Sequence, residues 1–493
     1  MHTSLYLKEI FNFERSLFRA DRLDFFVALI LFAAVGYAFI NGQSWINKQR
    51  QAVHAAQTEE SVRLQELKDK FAGIDAGSLK PAKAYENPAN AYWVGNRHAA
   101  TYAVLPPTAF AATAIGQSDL NPPYIKVSSD NKESFALNEE IENPGNLLIG
   151  NFDLAFVVVF LLPLLIIALS YNLLSAEHEQ GTLAITMTNP VPLWVLIAGK
   201  LSFRVALVFS LTASITVLGL LVIGTDLSTM DSMVRLGWWM VLLLAYTLFW
   251  FALAVAINVL AKSSAQNALI LTGLWIVILL VLPSFISIAV NVAYPVPSRV
   301  AMVGSIRAAQ TDANKESDAT VARFEQEHPE MTAMPLAKGD DTAAIRKRVL
   351  VQQAAASRIT QIMARYDRQL AQQQRIVDSL RFLSPAIVMQ EALNAVAGTD
   401  NSRYQQLSLQ VDAFHRVWQD FFLPKVLDNT PLTLADYQNF PRFAYVEQAI
   451  SETGMRLLGA LLGLVVPVAV LYLFSLRRIR DGLPDNGMTN ERD

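Results

Sequence analysis

Six stretches of the chain are apolar almost without interruption, and the pattern between them is polar with either helical or irregular periodicity. The six are "FFVALILFAAVGYAFI" from Phe25, "LAFVVVFLLPLLIIALSYNLL" from Leu154 and "VALVFSLTASITVLGLLVIG" from Val205. They continue with "LGWWMVLLLAYTLFWFALAVAINVL" from Leu236, "ALILTGLWIVILLVLPSFISIAVNVA" from Ala268 and "LLGALLGLVVPVAVLYLFSL" from Leu457. About 20 apolar residues suffice to cross the roughly 30 Å hydrocarbon layer as a helix, and each run is near or above that length. The pattern therefore predicts an all-α polytopic membrane protein with six spans at 24–41, 152–174, 193–224, 236–260, 268–293 and 455–476.

Between the spans the polar sequence divides unevenly. Two segments, 42–151 and 294–454, are long, whereas 225–235 and 261–267 are short loops, 175–192 is a charged turn and 477–493 is a tail. In the second long segment, Ile359, Ile362, Met363, Tyr366 and Leu370 recur at three- and four-residue spacing within "ASRITQIMARYDRQLAQQQRIVDSL", which predicts a helix with one buried stripe. "SPAIVMQEALNAVAG" and "SRYQQLSLQVDAFHRVWQDFF" predict two more, with Ser384 and Ser402 as N-caps and Gly398 as a stop. The first long segment opens with an expected helix from Ser44 to Phe71. It then becomes rich in Pro, Asn and Gly in "NPANAYWVGNRHAATYAVLPP", where irregular structure with short strands is expected. Before the first span, Tyr6, Ile10, Phe13 and Leu17 share a helical face with Lys and Arg between, as in a helix (1–23) lying in the inner membrane interface.

Charge next sets the expected orientation. Lys8, Arg15, Arg19 and Arg22, then Lys200 and Arg204, then Lys262, and last Arg477, Arg478 and Arg480 all flank spans on one side; Arg22 and Trp45 bracket the first span as interface anchors. The short loop of the other side holds only Arg235, beside Asp226 and Asp231. The positive-inside rule then places both termini in the cytoplasm and both long segments on the outer side of the membrane. No A-x-A cleavage site follows the first apolar run, so it is expected to remain as a span.

Composition fits this picture: 53% of the 493 residues are hydrophobic and 17% charged, with net charge −3. That balance excludes a strongly basic nucleic-acid binder. Without cysteine, the chain has no disulfide, thiolate metal ligand or Cys nucleophile. The histidines (His2, His54, His98, His178, His328, His415) are scattered, and no tight Met/His cluster suggests a soft-metal site. A P-loop requires G-x-x-x-x-G-K-[ST], but "LIAGKLS" puts Leu201 after Lys200 and no Gly five before Gly199, so this chain does not cradle ATP by that device. H-E-x-x-H and G-x-S-x-G are also absent. The span centres hold no charge of the kind a proton relay leaves. Ser210, Thr212, Ser214 and Thr216 are expected to bond back to their own helix, Gly459 and Gly463 to permit close helix approach, and Pro283 and Pro467 to kink their spans.

The charged turn "LLSAEHEQGTLAITMTNPVPLWVLIAGKL" remains. Glu177 and Glu179 cannot lie in hydrocarbon, Gly181 breaks the helix, the chain turns at Asn189–Pro190, and Lys200 and Arg204 lead it back into the membrane. The residues alone allow either a force-transmitting turn or a plain solvated hairpin. The pattern Glu177, Glu179, Gly181, Thr182, Leu183, then Pro190 and Gly199–Lys200, resembles the cytoplasmic loop of ABC-2-type permeases, the membrane subunits of ABC transporters. "AYWVGNRHAATYAVLPPTAF", "AIGQSDLNPPYIKVS" and "FLSPAIVMQEALNAVAGTDNSRYQQL" resemble a subgroup with enlarged periplasmic regions, classed as a domain of unknown function and grouped with permeases linked to multicopper-enzyme maturation.

That resemblance implies a permease of the bacterial inner membrane, not itself an enzyme, working with two copies of a cytoplasmic ATPase that bind ATP and Mg and with a second permease chain, identical or sister. Glu177, His178, Glu179, Gln180, Gly181, Thr182 and Leu183 would form the helix that couples to the ATPase. Lipid and a periplasmic client are further expected partners; nucleic acid, a resident cofactor, a metal and a catalytic residue are not expected. Two alternatives stand beside this reading. One is an ATP-driven complex that acts on a periplasmic or lipid-anchored client without moving a solute; the other is a stand-alone membrane scaffold.

Overall fold

The structure is a computed structural model; it describes residues 2–20, 22–80, 83–119, 121–129, 152–181, 192–260, 263–295, 298–327, 342–448 and 450–480. Among these residues six helices are long and apolar enough to cross a membrane: Phe25–Asp75, Leu154–Glu179, Leu193–Val222, Met230–Leu260, Ser264–Ala293 and Glu452–Arg480. The chain is thus an all-α polytopic membrane protein, with one small hairpin as its only sheet among the described residues. Its two ends are called basal, where the 175–181 turn lies, and apical, where both long segments lie.

Burial identifies the centre of the bundle. In spans two and four 61% of the most apolar window is buried, against 17% in spans five and six, so two and four form the axis and the others surround it. Trp239, Tyr246 and Trp250 of span four are completely buried there, among Val158, Leu162 and Ile166 of span two. Two spans share an irregularity. A π turn, Val157–Leu161 in span two and Val277–Val281 in span five, precedes Pro163 and Pro283 respectively. Proline cannot donate a backbone hydrogen bond, and a widened turn accommodates its ring. In span two the phenol of Tyr246 donates to Val159 O at 3.0 Å, and Trp275 Nε1 of span five donates to Phe160 O at 3.1 Å.

Several helices exceed their expected lengths. Helix α2, Arg22–Asp75, continues out of the membrane without a break, so span one and the helix expected from Ser44 are one rod. Span four starts at Met230, which makes Arg235 helical; it pairs with Asp231 one turn earlier and donates to Val396 O. Thr212 and Thr216 bond to the carbonyls of Val208 and Thr212, and Ser210 to that of Leu207, so these hydroxyls are spent within span three. Of Gly459 and Gly463 in span six, only Gly463 meets a neighbour closely, the ring of Phe382; Gly459 faces open space.

The two long segments fold as one apical unit. Leu67, Tyr92, Val94 and Val127 of the first pack with Leu407, Trp418, Phe422 and Tyr437 of the second, and Trp418 Nε1 donates to Gly95 O at 3.2 Å. The first segment holds strands β1 (Thr101–Val104) and β2 (Tyr124–Val127), paired antiparallel with Thr101 opposite Val127. Glu60 of α2 anchors β1 by accepting from Tyr102 N (2.9 Å) and Thr101 Oγ1 (2.6 Å). In the second, Ile306, Ala309 and Ala313 of helix Arg299–Lys315 pack on Val351, Ala355 and Ile359 of helix Thr342–Leu380.

Helix Pro385–Ala397 departs from the expectation of a helix confined to the outer segment. Met389, Leu393 and Val396 join the apolar core of the bundle, against spans two, four, five and six. It ends at Gly398 in the left-handed conformation (φ 68°), as the sequence predicts. Its expected cap does something else: Ser384 makes no cap bond, and its hydroxyl donates to Ile278 O of span five. Ser402 is no cap either, since helix Asn401–Leu427 begins one residue earlier, with Asp400 before it.

Candidate functional site: the basal hub

Span two loses its regular helix at Ser170, passes through a turn at Tyr171–Leu174 and ends in a short helix, Ser175–Glu179. A helix end leaves its last carbonyls without N–H donors, and burying them unpaired is costly. Here the donors are side chains from three other spans. Arg204 donates to Leu169 O, Asn258 Nδ2 to Ser170 O (3.0 Å), Asn267 Nδ2 to Tyr171 O (2.9 Å) and Lys200 Nζ to Leu173 O (3.3 Å). Two of the four are cations, which the negative end of a helix dipole favours.

Asn258 serves the hub twice over. Its Oδ1 accepts from Leu174 N (3.2 Å) and from Asn267 Nδ2 (3.1 Å), while its Nδ2 also reaches Ala254 O (2.9 Å). Both amides are almost fully buried, so each bond is made away from water. Lys200 also pairs with Glu177 at 2.6 Å, and Arg204 with Glu14 of helix α1 (His2–Ala20) at 3.2 Å. Glu14 is only 5% exposed, at the centre of the face that α1 packs on span three. On that face Ile10 lies so close to Gly199 that a Cβ there would collide with it, and Phe11 and Phe18 meet Phe203 edge-on. The apolar stripe read from sequence is displaced accordingly: Ile10 packs inward, whereas Phe13 and Leu17 are exposed and available to lipid.

Glu179 closes the hub on the side of span five. Its carboxylate accepts from Ser264 N (2.7 Å) and Ser264 Oγ (3.0 Å), at the N-terminus of helix Ser264–Ile276, where the dipole favours an anion. Ser264 Oγ lies 2.8 Å from Ser175 Oγ. Each member of the acidic pair is thus bonded to a neighbouring span, half-buried Glu177 to span three and exposed Glu179 to span five. His178 and Gln180 are exposed, and Gly181 adopts the left-handed conformation at φ 69°. Thr182 and Leu183, the last two expected coupling residues, lie outside the described residues.

Sequence reading found the carboxylates and Lys200 but not their pairing, and it missed Ser264, Asn258, Asn267 and Glu14. Asn258 and Asn267 carried a legible signal, because an amide in an apolar span needs a partner and marks a helix contact. Glu14 carried one too, as an acid among the apolar positions of α1. Elsewhere, a small apical cleft is lined by Gln49, Ser118, Asn121, Thr399 and Tyr404. Its charged groups are already paired, Asp400 with Arg456 and Arg403 with Glu447. Among the described residues no three His, Asp or Glu side chains are grouped to hold a metal ion.

The family described as "Domain of unknown function (DUF3526)" matches residues 299–446 of the chain. That range runs from the first apical helix after span five to just before span six, and includes the inserted helix Pro385–Ala397. Among curated proteins nothing matches.

Proposed function

We propose that this chain is the permease subunit of an ATP-driven, ABC-2-type exporter-like transporter in a bacterial inner membrane, with both termini cytoplasmic. A separate ATPase, two copies binding ATP and Mg, would dock on the basal turn, and a second permease chain would complete the membrane part. The observation that supports this most is the build of residues 175–181. Two carboxylates tie the turn to spans three and five, while His178 and Gln180 face outward. A push on the exposed side of such a turn is delivered to two spans at once instead of being lost in a loose loop.

The test is copurification from a mild detergent, followed by ATP hydrolysis in lipid nanodiscs. An ATP-binding subunit is expected to accompany the chain. Because His178 and Gln180 are exposed, H178A/Q180A is expected to leave the thermal unfolding midpoint unchanged while weakening retention of that subunit about tenfold. Purification with no ATP-binding protein, or full retention by the double variant, refutes the proposal. Reversing the charge of Glu177 or Glu179 is a poorer test, since both carboxylates hold the hub together.

A second reading, in which ATP drives the apical unit to act on a periplasmic or lipid-anchored client without moving solute, draws on one observation. The apical unit has its own core, shared between both long segments, and reaches into the bundle through Pro385–Ala397. A closed, lipid-filled interface between permease chains with a client bound apically would favour it.

A further inference from the structure

Span five is among the least buried of the spans, yet hydrogen bonds hold it at four successive levels. At the basal end Ser264 is bonded to Glu179, and Asn267 donates to Tyr171 O, Ser175 Oγ and Asn258 Oδ1. Higher up, Trp275 Nε1 donates to Phe160 O of span two. At the π turn Ser384 Oγ donates to Ile278 O at 2.7 Å. At the apical end Gln373 Nε2 donates to Asn291 Oδ1 (2.9 Å) and Tyr294 O (3.2 Å). Apolar contacts let helices slide, whereas bonds of this kind fix register and transmit axial displacement.

The bond from Ser384 has a specific cause. In the π turn Leu282 N bonds to Val277 O, five residues back. The same pattern assigns Ile278 O to the nitrogen of residue 283, which is Pro283 and carries no hydrogen. The carbonyl is thereby left open, and the hydroxyl of a completely buried serine fills it. That serine begins the helix Pro385–Ala397, which ties onward to span four through Arg235 and Val396 O and to the apical unit through Thr108 and Ala397 O.

We infer that span five is the rod linking the basal turn to the apical helices, with the Ser384–Ile278 bond as its latch on the inserted helix. The direction of travel, basal to apical, rests on the function proposed above; the linkage is a property of this chain alone. Pro283 is the residue that makes the latch possible, because it frees the carbonyl that Ser384 takes.

Hydrogen exchange of the full-length chain in nanodiscs, without any ATPase, tests the linkage and therefore fails or succeeds independently of copurification. Asn267→Ala, about 16 Å along span five from Ile278, is expected to speed exchange across 385–397 about fivefold. Ser384→Ala removes the latch but leaves Ile278 O unpaired, so it can loosen the fold by itself. P283A/S384A restores a backbone N–H for that carbonyl and keeps the span intact while the latch is gone. In that background Asn267→Ala is expected to have no effect on 385–397. Unchanged exchange of 385–397 in the Asn267→Ala chain overturns the inference, and so does an increase that persists in P283A/S384A.

Discussion

Arg204 and Glu14 offer an asymmetric test of how the basal hub is stabilised. Their side chains are 19% and 6% exposed, so the carboxylate is the more deeply buried partner. Replacing Arg204 by Met removes the only cation bonded to Glu14 among the described residues and also strips the donor from Leu169 O. Removing one partner of a buried pair costs about 3–5 kcal/mol, because a charge remains with nothing to balance it. Replacing Glu14 by Gln is milder: Arg204 keeps Leu169 O, is less buried, and the amide oxygen can still accept its hydrogen bond, so about 1 kcal/mol is expected. The double variant E14M/R204M leaves no charge behind. It should recover most of the loss, short of the about 1–3 kcal/mol attached to the unpaired Leu169 carbonyl. Thermal unfolding of the purified chain in detergent, followed by tryptophan fluorescence, ranks the variants, since Trp239 and Trp250 are buried in the bundle core. Hydrogen exchange over His2–Ala20 should rise in step as α1 comes off span three. The reasoning fails if R204M and E14Q are equally destabilising, or if the double variant is no more stable than R204M.

Two further substitutions probe the apical unit. A Cβ at Gly42 would overlap the Ala112 carbonyl oxygen, where the 111–113 turn rests on α2. Gly42→Ala should therefore cost about 1–3 kcal/mol and lower the unfolding midpoint; an unchanged midpoint would show that the turn can shift freely. At the capping box of helix Leu434–Gln438, burial pulls the Asp436 carboxyl up, but hydrogen bonds from Lys425 and Thr433 outweigh it and hold the group below the ordinary aspartate range. A depressed carboxylate stabilises at neutral pH, and that contribution is lost as pH falls through its folded-state value. Asp436→Asn should flatten the acid limb of hydrogen exchange across 425–440, and an acid limb identical to wild type would refute this assignment.

Local chemistry was enough to reveal much of this architecture. The six apolar runs had to be membrane helices, because a chain crossing hydrocarbon must satisfy its own backbone bonds. Gly398 was readable as a helix stop, and the threonines of span three as self-bonded, because each depends on neighbours within four residues. The inward face of Ile359 and Met363 followed from spacing in the same way. Glu177 and Glu179 were marked as important by being charged in an apolar setting.

What those carboxylates do was decided by contacts far away in sequence. Glu177 meets Lys200 at 23 residues' separation and Glu179 meets Ser264 at 85, and neither distance leaves a trace in local periodicity. The same is true of Ser384, read from sequence as a cap because it precedes a helix beginning with proline. It became a latch because Pro283, 101 residues earlier, left a carbonyl open beside it. Helix Pro385–Ala397 looks like any amphipathic outer helix, and only the assembled bundle offered the apolar socket that drew it inward. Sequence alone determined which segments enter the membrane, since that follows from transfer free energy residue by residue. Tertiary structure decided where each stranded polar group found its partner, since a hydrogen bond depends on two groups meeting in space and not on either one's neighbours along the chain.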